Sequence, residues 1–464
     1  MIVMTASEIA KIVGGVLHGD DCQVSAPAFL SSQDCIPGSI FLAIKGEHVD
    51  GHTYTSDAFA HGAVLALVTE KIEERSVLVA DVTVAIGKLA AYVRMQLKDL
   101  AVIGITGSQG KTTTKELLYA ILSAKGVTVS PKGNNNNELG VPLTLLKCDS
   151  TTEFCIIEMG ARHQGDIAAL ALIARPQIGV VLRVAAAHLG EFGSMEKIAE
   201  TKSELIRGLD ENGIAVLGSY DPYTIAMNAL HSGKILTFGE DGSSIIRAAD
   251  IELRDGKPHF DLVTPEGRSS VALRQYGLHQ VSNALAAAAV AHALGISTEH
   301  IAGLLSTAEM HAKGRMEVRE LDDLVLINDS YNASPDSMAA ALATLTHLTQ
   351  ERGGESWAFL GNMRELGESS ASAHAEITAL ASQLGVDHLV ASDASAYGDG
   401  IDKNSSMTLH QCAKKEDALA IAKFINRGDV VLCKASRSDK LEEVVEGIEK
   451  LWKLKIEEDR EIAE

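Results

Sequence analysis

One short segment constrains this chain more than any other feature of its sequence. An apolar run, AVIGIT, leads through a glycine-rich turn into a helical pattern, and the joining segment reads GITGSQGKTTT over residues 104–114. Glycines let successive backbone N–H groups curl around an anion, and the start of the helix adds the positive end of its dipole. The segment therefore predicts a phosphate-binding loop, although Ile105 stands where the strict pattern has glycine.

The loop also predicts which residues meet a nucleotide. We expect the Lys111 amine to reach the β- and γ-phosphates and the Thr112 hydroxyl to bind Mg²⁺. The residues expected to contact the phosphates are Gly107, Ser108, Gln109, Gly110, Lys111, Thr112 and Thr113. Switches, motors, kinases and ligases all use such a loop, so the reaction stays open at this point.

The order of apolar runs and helical patterns indicates an α/β fold in three blocks. A length of 464 residues suggests two to four domains. We expect blocks at residues 1–97, 98–313 and 314–464. In the second block, short strands alternate with helices at a spacing that predicts a parallel sheet, followed by hairpins in residues 248–276. The third block has the same alternation of strands and helices, which predicts a second α/β sheet.

The charge balance limits the partners. The formal net charge is −21, and long-range repulsion opposes binding to nucleic acid or to an anionic membrane. The longest apolar run, Ala284–Ile296, is too short to span a bilayer, and the N-terminus has no signal-peptide pattern. The six cysteines form no CxxC pair, which favours neither a zinc knuckle nor a disulfide framework. We expect a cytoplasmic protein without membrane insertion.

Several polar residues downstream of the loop are candidates for a metal or substrate site. Glu158 ends an apolar strand, where a Mg²⁺ ligand facing the loop would lie. His188 follows the next strand in the same position, and its role stays undecided. Lys202 lies among acidic residues on a helix, either as a solvated lysine or as a carbamate that binds a second Mg²⁺. The run Asn134–Asn137 predicts a polar loop, either contacting substrate or forming a plain turn.

Together these segments resemble the muramyl ligase family, ATP-dependent amide-forming enzymes of bacterial cell-wall synthesis. The matching segments extend over nearly the whole chain: FLAIKGEHVDGHTY, GITGSQGKTTTKELL, GNNNNELGVP, IEMGARHQGDIA, AHLGEFGS, GLHQVSNALAA, GRMEV, NDSYNASPDSM, GNMRELGE and KASRS. YNASPDSM and GNMRELGE discriminate best, because they separate the member that adds D-alanyl-D-alanine from the one that adds the diamino acid.

The resemblance implies three domains: one for the UDP end of a sugar nucleotide, a central P-loop domain for ATP, and a Rossmann-like third domain. It implies a monomer that joins D-alanyl-D-alanine to UDP-N-acetylmuramoyl-tripeptide through an acyl phosphate, forming the pentapeptide precursor of peptidoglycan. Lys111, His188 and Lys202 would be catalytic. Thr112, Glu158, His188 and a carbamylated Lys202 would hold two Mg²⁺ ions.

The resemblance further assigns nucleotide and substrate contacts outside the loop. The expected nucleotide contacts are Asn283, Arg315 and Asp329. The expected substrate contacts are Ser31, Ser32, Lys45, Asn136, Asn137, Tyr331, Asn332, Ser436 and Arg437, with Lys434 in the same patch as the last two.

Four residues depart from the family pattern: Gln33, Arg183, Ser334 and Asn362. None of them is a loop residue or an expected metal ligand, which favours a working enzyme. Two alternatives stay open: a related ligase acting on another carboxylate, such as a folate, and a nucleotide-binding paralogue without catalysis. A P-loop switch or motor ranks last, because no switch or arginine-finger element is evident.

Overall fold

The computed structural model describes residues 1–131, 133, 135–186, 189–401 and 405–463. Three large sheets follow one another along this part of the chain, each covered by helices, and a two-stranded sheet lies near the N-terminus. The expected α/β class is confirmed. Within the described residues, no helix combines the length and the apolar character needed to cross a membrane.

The first large sheet is a five-stranded mixed sheet. Its strands lie in the order β2-β7-β6-β5-β4, parallel except for the β2–β7 pair, while β1 and β3 pair separately. The strands are β1 Met4–Thr5, β2 Val16–His18, β3 Gln23–Val24, β4 Ala28–Phe29, β5 Ser39–Leu42, β6 Ala63–Val68 and β7 Ser76–Leu78. The helices are α1 Ala6–Val13, α2 Thr55–Ala60 and α3 Val82–Gln96.

The second sheet has nine strands in the order β16-β15-β14-β13-β12-β11-β8-β10-β9. Strands β8 to β14 run parallel, and β14, β15 and β16 form antiparallel hairpins, as expected for residues 248–276. The strands are β8 Ala101–Thr106, β9 Thr128–Val129, β10 Phe154–Glu158, β11 Ile178–Val181, β12 Ile214–Gly218, β13 Lys234–Gly239, β14 Ile246–Arg254, β15 Lys257–Thr264 and β16 Gly267–Ala272.

Helices cover both faces of this sheet. They are α4 Lys111–Ser123, α5 Gly140–Leu145, α6 Asp166–Ala174, α7 Leu189–Phe192, α8 Met195–Arg207, α9 Pro222–Ala226, α10 His279–Ala293 and α11 Thr298–Thr307. Residues 283–291 of α10 are all buried against α4 and the sheet. Small alanine side chains allow this close approach, so the apolar run 284–296 lies mainly in a core helix that ends at Ala293, and it is not a membrane span.

The third sheet has six strands in the order β17-β18-β22-β19-β20-β21, with only β17 antiparallel. The strands are β17 Glu317–Leu321, β18 Leu324–Asp329, β19 Ser356–Leu360, β20 His388–Ser392, β21 Thr408–Cys412 and β22 Val430–Lys434. The helices are α12 Pro335–Arg352, α13 Ser370–Leu384, α14 Lys415–Ile421 and α15 Glu442–Ala463. The carboxyl ends of β18 and β22 face those of β8 and β10 across a cleft.

Candidate active site

A cleft of about 860 Å³ lies between the second and third sheets. It gathers residues that are far apart in the sequence, because the carboxyl ends of parallel strands meet at one edge of a sheet. Of the residues expected to bind nucleotide, metal or substrate, those that line it are Gly107, Ser108, Gln109, Gly110, Lys111, Thr112, Thr113, Asn136, Asn137, Glu158, Lys202, Asn283, Arg315, Asp329, Tyr331, Asn332 and Lys434.

The phosphate loop joins β8 to α4 and is shaped by glycine. Gly110 has a φ of +81°, and a Cβ at this position would lie 2.2 Å from Oδ1 of Asn283. Asn283 is fixed in turn, because its Nδ2 donates to Gln280 Oε1 at 2.9 Å. The Lys111 Nζ donates to the Gly107 carbonyl at 2.6 Å. Burial lowers the pKa of Lys111, while the negative charge of Glu158 opposes that shift.

Three side chains form an oxygen-rich cluster beside the loop. The Thr112 hydroxyl donates to Glu158 Oε2 at 3.0 Å, and Asn136 Nδ2 donates to the other carboxylate oxygen at 2.9 Å. Adjacent oxygens on one octahedral Mg²⁺ are about 2.9 Å apart, given Mg–O distances of about 2.0–2.1 Å. The Thr112 and Glu158 oxygens therefore fit a shared Mg²⁺. His188 lies outside the described residues, and its assignment stays a prediction.

Lys202 is buried in the cleft wall, with only 7% of its surface exposed. The solvated alternative therefore does not hold for this residue. Burial, and next the positive charge of Lys111, lowers the pKa of Lys202 to about 7. A substantial fraction of this amine is consequently neutral near pH 7, which is the form that reacts as a nucleophile.

The third sheet contributes a cationic and aromatic wall. Asp329 and Lys434 are register partners at the ends of β18 and β22, and their Oδ2 and Nζ atoms lie 2.5 Å apart. Lys434 also donates to the Asn332 carbonyl at 2.8 Å. The Arg315 guanidinium lies 4.0 Å above the centre of the Tyr331 ring. Such a wall can hold an anion by charge and a planar group by stacking.

Direct contacts join the two sides of the cleft. Gln109 Nε2 of the phosphate loop donates to the Ser334 hydroxyl at 3.3 Å and to Asp336 Oδ2 at 3.2 Å, at the start of α12. The Gly190 amide donates to the Glu365 carbonyl at 3.0 Å. The loop is therefore tied to the third sheet unit through Ser334, one of the residues that depart from the family pattern.

Two of the other departures, Arg183 and Asn362, lie in different surroundings. Arg183 lines the cleft, and its carbonyl accepts the Ser108 amide of the phosphate loop at 2.9 Å. Asn362 is used in packing, because its Nδ2 donates to the Asp393 carbonyl and to Asp439.

Five of the expected substrate residues do not line the cleft. Ser31, Ser32 and Lys45 lie beside the first sheet, where Lys45 is exposed and pairs with Asp50 at 3.7 Å. The Ser436 hydroxyl accepts the Arg364 amide at 2.9 Å, and Arg437 pairs with Glu442 at 2.7 Å. Their assigned roles remain predictions.

Near the first sheet, Asp50, His52 and Glu70 form a group of potential metal ligands. Both His52 ring nitrogens are already in use, because Nδ1 lies 2.7 Å from Asp50 Oδ1 and Nε2 accepts the Thr69 amide at 3.1 Å. These contacts show that the His52 side chain is used in local packing at the short 3-10 helix Gly51–Tyr54.

Two residues of this region were not expected from the sequence. His279 lines the cleft, and burial lowers its pKa to about 4. It stands one helical turn before Asn283, which was the available signal, because residues four apart share a helix face. Lys115, one turn after Lys111, is buried and donates to the Pro131 and Gly133 carbonyls. It thereby holds the backbone at Pro131 and Gly133 beside the start of α4.

Known proteins resemble this chain over most of its length. The model of the Mur ligase middle domain matches residues 105–291, and that of the Mur ligase, glutamate ligase domain, matches residues 314–437. The chain is 38% identical to UDP-N-acetylmuramoyl-tripeptide--D-alanyl-D-alanine ligase of Mycobacterium tuberculosis, covering 97% of this chain and 98% of the relative. It is 34% identical to the ligase of the same name from Escherichia coli, covering 97% and 99%.

Solved structures extend the likeness to three dimensions. A crystal structure of MurF from Acinetobacter baumannii has a TM-score of 0.87 at 34% identity, covering 97% of this chain and 99% of that chain. MurF of Thermotoga maritima in complex with ADP has a TM-score of 0.80 at 31% identity, covering 93% and 99%. From the cleft, the full-length similarity and the matching fold, the chain belongs to the Mur ligase family.

Proposed function

We propose that this chain joins D-alanyl-D-alanine to UDP-N-acetylmuramoyl-tripeptide while ATP is converted to ADP and phosphate. The names of its full-length relatives support these substrates. The observation that carries the proposal is the composition of one cleft. The cleft contains the phosphate loop, the buried Glu158 carboxylate and Thr112 hydroxyl that fit Mg²⁺, and the buried Lys202. Residues of the third sheet and its loops form the opposite wall.

In this proposal each sheet unit has its own task. Residues 1–97 bind the UDP end through Ser31, Ser32 and Lys45. Residues 98–313 bind ATP, and residues 314–464 bring adenosine contacts and the incoming dipeptide. A monomer is the proposed working form. The six scattered cysteines form no CxxC pair, which favours a reducing compartment such as the cytoplasm. Sedimentation of the purified protein tests the monomer.

The chemistry requires an activated acid. A carboxylate is a poor electrophile, so the tripeptide carboxylate first attacks the γ-phosphorus of ATP and ADP leaves. The amine of D-alanyl-D-alanine then attacks the acyl phosphate, loses a proton, and the tetrahedral intermediate expels phosphate to leave an amide. Negative charge grows at both stages. In this proposal the Lys111 amine and the loop N–H groups stabilise that charge.

Thr112, Glu158, His188 and a carbamylated Lys202 are the proposed holders of two Mg²⁺ ions. Bound Mg²⁺ would supply charge compensation for the phosphates. The carbamate would form when the neutral Lys202 amine attacks CO₂ and releases a proton, which converts a cation into an oxygen ligand. The burial of Lys202 and its pKa of about 7 support this modification.

Contacts between the two sides of the cleft suit a reaction that must exclude water. An acyl phosphate is hydrolysed readily, and a closed cleft protects it. The contact from Gln109 to Ser334 and Asp336 ties the loop to α12, so that the phosphates and the third sheet unit are held together.

The experiment is a phosphate-release assay with ATP, Mg²⁺, the muramyl tripeptide and D-alanyl-D-alanine, with the product identified by mass spectrometry. Release should require both substrates. Phosphate release with a folate and glutamate instead would favour a related ligase. ATP binding without phosphate release would favour a paralogue without catalysis. ATP hydrolysis that does not depend on the peptide would favour a switch or motor.

Two variants connect the assay to the cleft. We expect Lys111→Ala to abolish turnover while the chain stays folded, since one preorganised donor typically contributes roughly 3–4 kcal/mol to the barrier. Lys202→Ala should lose turnover and regain part of it with added short-chain carboxylates. Lys197→Ala, on the same helix but outside the cleft lining, is the control. Full activity of Lys202→Ala would contradict the carbamate.

A further inference from the structure

Two histidines outside the cleft lie on neighbouring strands of the third sheet. His388 begins β20, and His410 lies in the middle of β21, diagonally across the pair. Nδ1 of His388 and Nε2 of His410 are 3.3 Å apart. The cleft lies at the opposite, carboxyl end of the parallel strands, so the ligase reaction makes no use of this pair.

Neighbouring side chains hold His388 in one orientation. Its ring stacks on the buried Trp357 indole with centroids 3.8 Å apart and planes 14° apart. The indole is itself fixed, because its Nε1 donates to Asp429 Oδ2 at 3.0 Å. On the other side, His388 Nε2 lies 3.3 Å from Glu355 Oε2. The carboxylate favours the tautomer with its proton on Nε2, which leaves the lone pair of Nδ1 directed at His410.

We propose that His388 Nδ1 and His410 Nε2 form a site for a divalent cation that prefers imidazole ligands, such as Zn²⁺. Two nitrogens bound to Zn²⁺ at about 2.0–2.1 Å with a tetrahedral angle are about 3.3 Å apart. The observed separation therefore needs no rearrangement. His410 binds through the tautomer that carries its proton on Nδ1, and water completes the coordination, since His388 keeps 20% of its side-chain surface exposed.

The surroundings support binding of the neutral rings. Metal-bound histidines generally donate their other N–H to a carboxylate, which orients the ring and raises its basicity; Glu355 stands in that relation to His388. Mg²⁺ prefers oxygen ligands and does not compete for this site.

The position of the site indicates what a bound ion does. Strand β21 is the edge strand of the third sheet, paired only with β20. An ion held by His388 on β20 and His410 on β21 cross-links these two strands. Its binding therefore stabilises the sheet edge by mass action, without a direct effect on the ligase reaction.

The test uses the fluorescence of Trp357 in the full-length protein. The chain has two tryptophans, so Trp452→Phe leaves Trp357 as the only tryptophan, and excitation at a wavelength that tyrosine does not absorb selects its emission. Titration with Ni²⁺ in excess Mg²⁺, without ATP, should quench it saturably with one equivalent, and Zn²⁺ should reverse the quenching. His388→Gln and His410→Gln should each weaken Ni²⁺ binding at least tenfold, with ligase turnover unchanged.

Matched variants keep the test decisive. His300→Gln, an exposed histidine on α11, should bind Ni²⁺ like the parent protein. Glu355→Gln keeps both ligand rings and should weaken binding by roughly 10- to 100-fold; it decides the matter if circular dichroism shows that a histidine variant does not fold. Equal Ni²⁺ affinity in the folded His388→Gln or His410→Gln variant, unaltered affinity in Glu355→Gln, or quenching that never saturates would each overturn the proposal.

Discussion

A single methyl group at Gly110 tests how the phosphate loop is built. With a φ of +81°, Gly110 has a backbone conformation that costs a residue with a Cβ roughly 1–2 kcal/mol. The new Cβ of Gly110→Ala would also overlap Asn283 Oδ1 at 2.2 Å and press on Leu182 at 3.3 Å. Because α10 is packed tightly by its alanines, either the Asn283 side chain or the loop has to move.

The backbone strain and the overlap with Asn283 affect two different quantities, the free energy of unfolding and the Kd for ATP. The backbone strain lowers the free energy of unfolding and leaves the cleft unchanged. Displacing Asn283 or the loop would remove the nucleotide contacts proposed for them, worth about 1–3 kcal/mol, and should raise the Kd for ATP roughly 5- to 150-fold. Gly353→Ala is the matched control. Gly353 has a φ of +80°, and no described atom lies within 4 Å of its Cβ position. The Gly353→Ala protein should therefore be less stable than the parent and bind ATP with the same affinity.

Calorimetric titration with ATP and Mg²⁺, together with urea unfolding, measures both quantities. In an Asn283→Ala background the overlap is absent, so Gly110→Ala should weaken ATP binding much less than it does in the parent chain. Such non-additivity is expected of residues in direct contact. An unchanged Kd in Gly110→Ala, or effects that simply add in the double variant, would refute this account of the loop.

Two further predictions concern the wall of the cleft. Burial lowers the pKa of His279 to about 4 from an ordinary 6.5. As the pH falls, His279 therefore binds a proton in the unfolded chain before it does so in the folded chain. The free energy of unfolding should therefore fall by on the order of 3 kcal/mol as the pH drops from 6.5 to 4. Urea unfolding at pH 7 and at pH 4.5 should show a smaller fall for His279→Gln than for the parent chain. An equal fall in both proteins would exclude His279 as the cause. Asp329→Asn leaves the buried Lys434 without its carboxylate and should cost roughly 3–5 kcal/mol of unfolding free energy. Adding Lys434→Met should restore part of that stability, and a double variant no more stable than Asp329→Asn alone would contradict a charge effect.

Much of the fold was predictable because its signals are local. Runs such as AVIGIT and LVLIND are buried on both faces of a parallel sheet, so their apolar character is continuous in the sequence. Edge strands carry no such signal. In β21 the residues TLHQC are mostly polar and only the last is buried, and β9 has two residues. Their strand conformation depends on pairing with a neighbour that the sequence does not place.

The candidate site was predictable in part for a related reason. Lys111 and Thr112 follow from the strand-loop-helix order, which is local. Lys202 could not be assigned from spacing, because its acidic neighbours suggest a solvent-facing helix and only the packing of α8 against the sheet buries the amine. His279 was hidden for the same reason, since its surroundings include Asp329 and Lys434 from another sheet.

The charges inside the cleft explain how an acidic chain can bind polyanions. The whole chain has a formal net charge of −21, yet its cleft contains several cationic side chains that repel one another. Burial is the main cause that lowers the pKa of Lys202 and of Lys111, and repulsion adds to it: the charge of Lys111 acts on Lys202, and that of Arg315 acts on Lys111. The charge of Glu158 opposes the pKa shift at Lys111 and at the neighbouring Lys115. Binding a triphosphate removes the repulsion between these groups, and a carbamate on Lys202 would replace one cation by an anion. The repulsion among the cleft cations in the free protein therefore becomes binding free energy for ATP, held locally against the unfavourable field of the rest of the molecule.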